Sequence, residues 1–226
     1  MMSNEQAWEN KYAAVKKDET LWGKKSIPYI DTIVKTFRSI NASRVLDFPC
    51  GDGRNTIILA GSFDIVVGAD SSKSALKMCV KEADRQNISR LVTVETNLFS
   101  SCFISDYFDG ILCWDVLGHL ENPENAMDEL LRICKPCGII IGSFFSKTDP
   151  CVSDSQMVQL NENDYRYKGN CFYRFYTEKM IKDFLASFNG VDVLAIEHVI
   201  WIEPPHEGFR EYDHEHHSWA TIIKKK

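Results

Sequence analysis

The sequence predicts an α/β protein built on a doubly wound, mostly parallel sheet with helices on both faces. Three observations carry that expectation. Residues 44–56, Arg-Val-Leu-Asp-Phe-Pro-Cys-Gly-Asp-Gly-Arg-Asn-Thr, pass from an apolar run through an acid, Asp47, into a small-residue turn holding Gly51 and Gly53. A helical pattern then begins near Asn55. A second acid, Asp70, closes the next apolar run, Ile65-Val66-Val67-Gly68-Ala69. From Arg44 onward, short β-branched runs alternate with amphipathic stretches, the pattern of parallel strands joined by crossover helices.

Apolar positions at helical spacing (Ala7, Trp8, Tyr12, then Tyr29, Ile30, Ile33, Val34, Phe37) predict two N-terminal helices separated by a loop at Glu19-Thr20-Leu21-Trp22-Gly23. Strands are expected near 44–47, 64–69, 91–95, 108–113 and 138–145, and helices near 54–60, 72–86, 123–134 and 177–187. Val191–Trp201 and Ser218–Ile223 supply two further strands. Residues 146–176 break the alternation, combining Ser, Asp and Asn with Tyr165, Tyr167, Phe172, Tyr173, Phe175 and Tyr176. The segment is too long for an ordinary strand-to-helix loop. It leaves the sheet at the carboxyl end of a strand, where open α/β sheets bind ligands, and so reads as part of a substrate cap. A hairpin packed on the domain is the alternative.

A chain of 226 residues with 44% hydrophobic content fits a single domain, divided into N-terminal helices or lid (1–42), cofactor-binding core (43–145), cap (146–176) and the C-terminal part of the sheet (177–226). Net charge is −6, and the longest basic block is Lys224-Lys225-Lys226. A nucleic-acid binder would show a basic face, so a small-molecule substrate is expected. No N-terminal apolar stretch reaches signal-peptide or membrane-span length, and a cytoplasmic location follows as the expectation. Oligomeric state is left open. The eight cysteines are expected as reduced thiols. Cys134-x-x-Cys137 has no second pair, and His206, His214, His216 and His217 are expected on a solvated loop before the last strand, so no metal site is predicted.

Strand, glycine turn and helix start form a cradle for a cofactor, because glycine lets backbone pass close to a ligand and the free N–H groups of a helix start attract anions. Asp70 stands where doubly wound folds place the carboxylate that takes a ribose hydroxyl pair. A dinucleotide fingerprint wants a third Gly or Ala where this chain has Thr56, which disfavours NAD. The turn Asp47-Phe48-Pro49-Cys50-Gly51-Asp52-Gly53 instead resembles the first motif of class I S-adenosylmethionine-dependent methyltransferases, with Pro49 in place of the first glycine. Phe108–His119 resembles that family's fourth strand and following loop, and Met127–Ile141 its next helix, turn (Cys134-Lys135-Pro136-Cys137-Gly138) and fifth strand. The resemblance implies a Rossmann-like sheet of seven strands with the last antiparallel, S-adenosylmethionine as cofactor and S-adenosylhomocysteine as product. Trp8-x3-Tyr12 and Leu21-Trp22-Gly23 resemble the start of the tellurite-resistance and thiopurine methyltransferase-like branch, where such a segment folds over the cofactor.

On this reading Asp70 and Ser71 bind the ribose, while Asp47 orients the turn and approaches the methionine ammonium. Pro49, Cys50, Gly51 and Gly53 surround the methionine moiety, with backbone N–H groups facing it. Asn97 and Leu98 meet the adenine, and Trp114 and Asp115 end the fourth strand beside the cofactor. Tyr12 and Trp22 close the lid. Arg174 is either a carboxylate clamp or a solvated arginine ahead of a helix. His119 is the candidate general base, with a structural histidine as the alternative. The expected reaction is in-line methyl transfer. The alternatives are cyclisation of the cofactor or cleavage of its aminocarboxypropyl arm, a binding module without catalysis, and the disfavoured NAD-dependent oxidoreductase.

Overall fold

The computed structural model describes residues 4–16, 20–22, 25–168, 171–205 and 212–226. Glu19, Gly23 and His206, which figure in the expectations above, lie outside the described residues. The core comprises α1 (Asn4–Ala14), α2 (Ile30–Ser39), β1 (Arg44–Asp47), α3 (Thr56–Ala60), β2 (Ile65–Asp70), α4 (Lys73–Arg85), β3 (Leu91–Glu95), β4 (Phe108–Cys113), α5 (Pro123–Ile133) and β5 (Cys134–Ser146). Then come β6 (Met157–Gln159), β7 (Asp164–Tyr167), β8 (Cys171–Tyr176), α6 (Glu178–Ala186), β9 (Val191–Glu203) and β10 (His214–Lys225).

Seven strands run in the order β3-β2-β1-β4-β5-β10-β9. The first five are parallel, and β10 is antiparallel to both its neighbours. Both faces are covered, and successive side chains go to opposite layers as the pleat requires. Val45, Ile139 and Ile141 pack with Ile33 and Phe37 of α2. Leu46 and Ile140 pack on the other side with Met127 and Leu130 of α5 and Ile181 of α6. Order reverses between β1, which continues to β2, and β4, which continues to β5. That switch point opens a crevice at the carboxyl ends of the strands.

The sheet departs from the expected seven strands because β5 runs on past β4. Its last residues pair in parallel with β8 (Phe145↔Phe175, Ser146↔Tyr176), and β8, β7 and β6 form an antiparallel meander. The described residues of 146–176 are thus fused to the sheet, making ten strands among the described residues. The aromatics of the segment form their own cluster, with Phe145, Tyr165, Tyr167, Tyr173 and Phe175 buried together.

Two further expectations are corrected. Cys134–Gly138 is not a turn outside the strand but the start of β5, bulged so that Phe108 pairs with Cys134 and Gly110 with Ile139. Cys137 takes the left-handed φ of +66° within that bulge. His214, His216 and His217 lie not on a loop but in β10, because that strand begins four residues earlier than its apolar part and pairs with β9 throughout.

Candidate active site

The turn after β1 is held mainly by its own backbone. Cys50 N–H donates to the Ala69 carbonyl at 2.8 Å, tying the turn to β2. Gly51 (φ +54°) donates its N–H to the Asp70 carboxylate at 2.9 Å, and Gly53 (φ +90°) donates to the Cys50 carbonyl at 3.1 Å. Both N–H groups expected to face a ligand are therefore spent inside the turn. The peptide between Phe48 and Pro49 is cis.

Asp70 accepts a second N–H, from Ser72, at 2.9 Å. Burial raises its carboxyl to about 6, the hydrogen bonds from Ser72 and Gly51 opposing that rise. Asp47 sits behind the turn, 2% exposed, where Thr56 Oγ donates to it at 2.5 Å. Burial pushes the Asp47 carboxyl up to about 7 despite that hydrogen bond. Its place under the turn, rather than in the crevice, comes from Thr56, the residue that also breaks the dinucleotide pattern.

Helix α1 lies over this turn. Glu9 accepts from Ser72 Oγ at 2.7 Å and from Ser74 Oγ and N–H at 2.7 and 3.2 Å, capping the start of α4 with a carboxylate. Burial would raise the Glu9 carboxyl, but the hydrogen bonds from Ser72 and Ser74 hold it below its ordinary value. So docked, α1 brings Tyr12 onto Gly51, and Trp22 Nε1–H donates to the Tyr12 hydroxyl at 2.8 Å. Trp22 N–H donates to Asp52 at 3.0 Å. Burial, with the charges of Asp52 and Asp70 nearby, raises the Tyr12 phenol far above its usual range and keeps it protonated.

The other half lies over β4, β5, β10 and β9. Asp115 follows β4 in the left-handed conformation (φ +55°). Its N–H donates to Ser143 Oγ at 2.7 Å, and the Ser143 hydroxyl donates back to its carboxylate at 3.2 Å. Arg54 bridges Asp115, at 3.4 Å, and Glu203 of β9, while the indole N–H of Trp201 also donates to Glu203. Burial raises the Asp115 carboxyl to about 6, with Arg54 and His216 pulling it down. His216 of β10 pairs with Asp149 at 3.1 Å. Beyond Asp115, His119 donates Nδ1–H to the Phe172 carbonyl at 2.8 Å, so the neutral ring carries its lone pair on Nε2. The rings of Tyr173, Phe145 and Trp8 surround it at 4.4, 4.8 and 5.2 Å.

One cavity of about 730 Å³ joins the two halves. Of the residues singled out from sequence, it is lined by Tyr12, Trp22, Pro49, Cys50, Gly51, Asp70, Ser71, Leu98, Trp114, Asp115 and His119. Among the described residues, no group of three or more His, Cys, Asp or Glu is arranged to hold a metal ion.

A family model described as a methyltransferase domain matches residues 46–142, which hold the glycine turn, Asp70, Asp115 and His119. The ubiquinone biosynthesis O-methyltransferase of Glaesserella parasuis serovar 5 (strain SH0165) is 30% identical over 109 residues, 46% of this chain and 46% of that protein. The matched segment, less than half of the chain, is similar to methyltransferase domains. The chain spans about half the length of the curated relatives it matches.

The methyltransferase fold itself extends over the whole chain. A structure reported under conversion of a disulfide bond into a thioacetal group during echinomycin biosynthesis aligns with a TM-score of 0.78 at 15% identity, covering 99% of this chain and 92% of that one. Burkholderia thailandensis 1,6-didemethyltoxoflavin-N1-methyltransferase, with its namesake ligand and S-adenosylhomocysteine bound, aligns at 0.64 and 18% identity over 88% and 77%.

Three positions singled out from sequence stand outside the cavity lining besides Asp47. Gly53 packs on α4, where a Cβ would come 2.5 Å from Cys79 Sγ. Asn97 turns its amide to Glu5 and accepts the N–H of Phe99 at 2.6 Å, so that Glu5 and Phe99 line the cavity in its place. Arg174 is neither a clamp nor solvated, because Asp164 holds it bidentately at 2.6 and 3.0 Å within the meander. Sequence reasoning missed Glu9, Arg54, Arg166 and Glu203, and it named His216 only within the histidine cluster before the last strand. Only Arg54 carried a local signal, standing directly after Gly53.

Proposed function

We propose that this protein binds S-adenosylmethionine across the ends of β2, β1 and β4 and transfers its methyl group to a small molecule held beneath the β6–β8 meander. The observation that carries the proposal is the single cavity linking the Asp70–Gly51 cradle to the aromatic wall around His119. Its volume suits a nucleoside cofactor together with a small acceptor. Asp70 fits the ribose, because its carboxylate accepts backbone N–H groups from Gly51 and Ser72 and retains lone-pair capacity for a hydroxyl. Ser71, Leu98 and Phe99 continue from it as the adenine side. Residues 1–42 then serve as lid, 43–145 as cofactor core, 146–176 as acceptor cap and 177–226 as the rest of the sheet.

When bound, S-adenosylmethionine supplies an electrophilic methyl carbon. The chain's own part is to exclude water, through Trp8, Tyr12 and Trp22, and to align the acceptor. On this reading His119, its Nδ1 bonded to the Phe172 carbonyl, receives the acceptor's proton at Nε2. The net charge of −6 and an enclosed, aromatic cavity favour a small acceptor over a nucleic acid. No helix among the described residues is long and apolar enough to cross a membrane, and we assign the enzyme to the cytoplasm.

The decisive experiment is a thermal-shift titration with S-adenosylmethionine, S-adenosylhomocysteine and NAD. A ligand at a hundredfold its dissociation constant adds about 2.7 kcal/mol, a shift of several degrees. A shift with the two adenosyl-sulfur ligands is expected, and no shift with either overturns the proposal. Methylthioadenosine rather than S-adenosylhomocysteine as product would assign the chemistry to the cofactor's carbon chain.

A further inference from the structure

The acceptor half of the cavity has two unlike ends. One is the wall of Trp8, His119, Phe145 and Tyr173. The other is polar and lies across the switch point from Asp70, where Asp115, Arg54, Glu203 and His216 face the cavity from four different segments. Its guanidinium is already committed to Asp115 and Glu203. An acidic ligand would have to break one of those pairs to reach it. Asp115 differs from its neighbours: Ser143 and Arg54 fix its carboxylate, yet its side chain keeps 26% exposure. Asp115 is left-handed, and two hydrogen bonds with the Ser143 hydroxyl hold both its backbone N–H and its carboxylate in that arrangement.

Resting on the methyltransferase reading above, we infer that Asp115 is a specificity residue that takes a hydrogen-bond donor, a hydroxyl or an amine, on a planar aromatic acceptor whose ring lies against the His119 wall. Aromatic faces supply non-directional area and ring contacts. The carboxylate supplies the direction, since a charge-assisted hydrogen bond is about twice as strong as a neutral one. Asp115, entered from sequence among the cofactor residues, is thereby assigned to the acceptor side: it follows β4, its partners are Ser143 of β5 and Arg54 of the glycine turn, and Arg54 joins it to Glu203 of β9.

The test uses four probes on one scaffold, with the intact protein and saturating S-adenosylhomocysteine: a naphthol, a naphthylmethylamine, naphthalene and a naphthoate. Dissociation constants are read by ligand-observed NMR. The naphthol and the amine are expected to bind about tenfold more tightly than naphthalene or the naphthoate, the value of one charge-assisted hydrogen bond. Asp115→Ala erases that preference while retaining the thermal shift with S-adenosylhomocysteine. Ser143→Ala, a smaller change that leaves the carboxylate in place but loosens it, reduces the preference and serves if Asp115→Ala does not fold. Equal or tighter binding of the naphthoate, a preference that survives Asp115→Ala, or no binding by any probe overturns the inference. Loss of the S-adenosylhomocysteine shift in the unaltered protein would instead strike the cofactor reading, and the probe series without that ligand still judges Asp115.

Discussion

The Asp70 carboxylate accepts the Gly51 N–H at 2.9 Å, joining the end of β2 to the turn after β1 through a side chain rather than through the sheet. The same carboxylate is the proposed ribose ligand, so turn geometry and cofactor affinity depend on one residue. Asp70→Ala is expected to abolish stabilisation by S-adenosylhomocysteine, measured by thermal shift, while the variant still unfolds cooperatively. An unchanged shift would refute the ribose assignment.

That relationship also has a pH signature. Burial raises Asp70 from an ordinary 3.8 to about 6. Only the ionised form accepts two hydroxyls with both oxygens, so affinity for S-adenosylhomocysteine should fall as pH drops through about 6, and this limb should vanish in Asp70→Asn. Stability runs the other way. A carboxyl raised in the folded state contributes stability that is present below its unfolded value and lost as pH rises through the folded one. Relative to Asp70→Asn, the protein should therefore lose stability between pH 3.8 and about 6, as chemical denaturation across that range would show.

Gly51 and Gly53 should differ in their response to alanine. Both have positive φ, but a Cβ on Gly51 meets the far end of the Tyr12 side chain, 2.6 Å from its hydroxyl, and no backbone atom as close. A Cβ on Gly53 meets Cys79 at 2.5 Å from its sulfur and 3.2 Å from its Cα, which belongs to the backbone of α4. Gly51→Ala is expected to cost about 1 kcal/mol and Gly53→Ala about 2–3 kcal/mol in urea unfolding. The reverse order would contradict the packing of the turn on α4.

The Glu9 contacts predict a lid effect separable from the pocket. Glu9→Ala removes the acceptor of Ser72 and Ser74 without touching Gly51 or Asp70. Dissociation of S-adenosylhomocysteine should accelerate several-fold, with little change in global stability, as stopped-flow tryptophan fluorescence would report. A change in stability with no change in off-rate would make the contact purely structural.

Arg174 provides a negative control for acceptor binding. Its bidentate pair with Asp164 ties β8 to β7, and Asp164 is held below the ordinary carboxylate range chiefly by that hydrogen bond. Arg174→Gln should speed proteolysis within residues 146–176 and leave the S-adenosylhomocysteine shift intact. A lost shift with an intact meander would return Arg174 to the ligand site.

Much of the fold could be read from the chain because it rests on short-range rules. An acid after an apolar run, glycines at a turn, and apolar positions at helical spacing each act within a few residues, and they located β1, β2, α4 and Asp70. The same locality explains the misreadings. Cys134–Gly138 has turn composition, but its partner Phe108 makes it a bulged strand. Arg174 has a free arginine's sequence context, but the hairpin register sets Asp164 opposite it.

What the sequence by itself determined is the class of sheet, the glycine turn, the two strand-end acids and the resemblance to methyltransferases that they carry. Only the tertiary structure decided the acceptor half. Arg54 reaches Glu203 across 149 positions, Thr56 rather than the cavity claims Asp47, and Phe172 orients His119 from 53 residues away. The physical reason is that a hydrogen bond is satisfied by distance and direction, and those are set by strand order and register, which no local pattern contains.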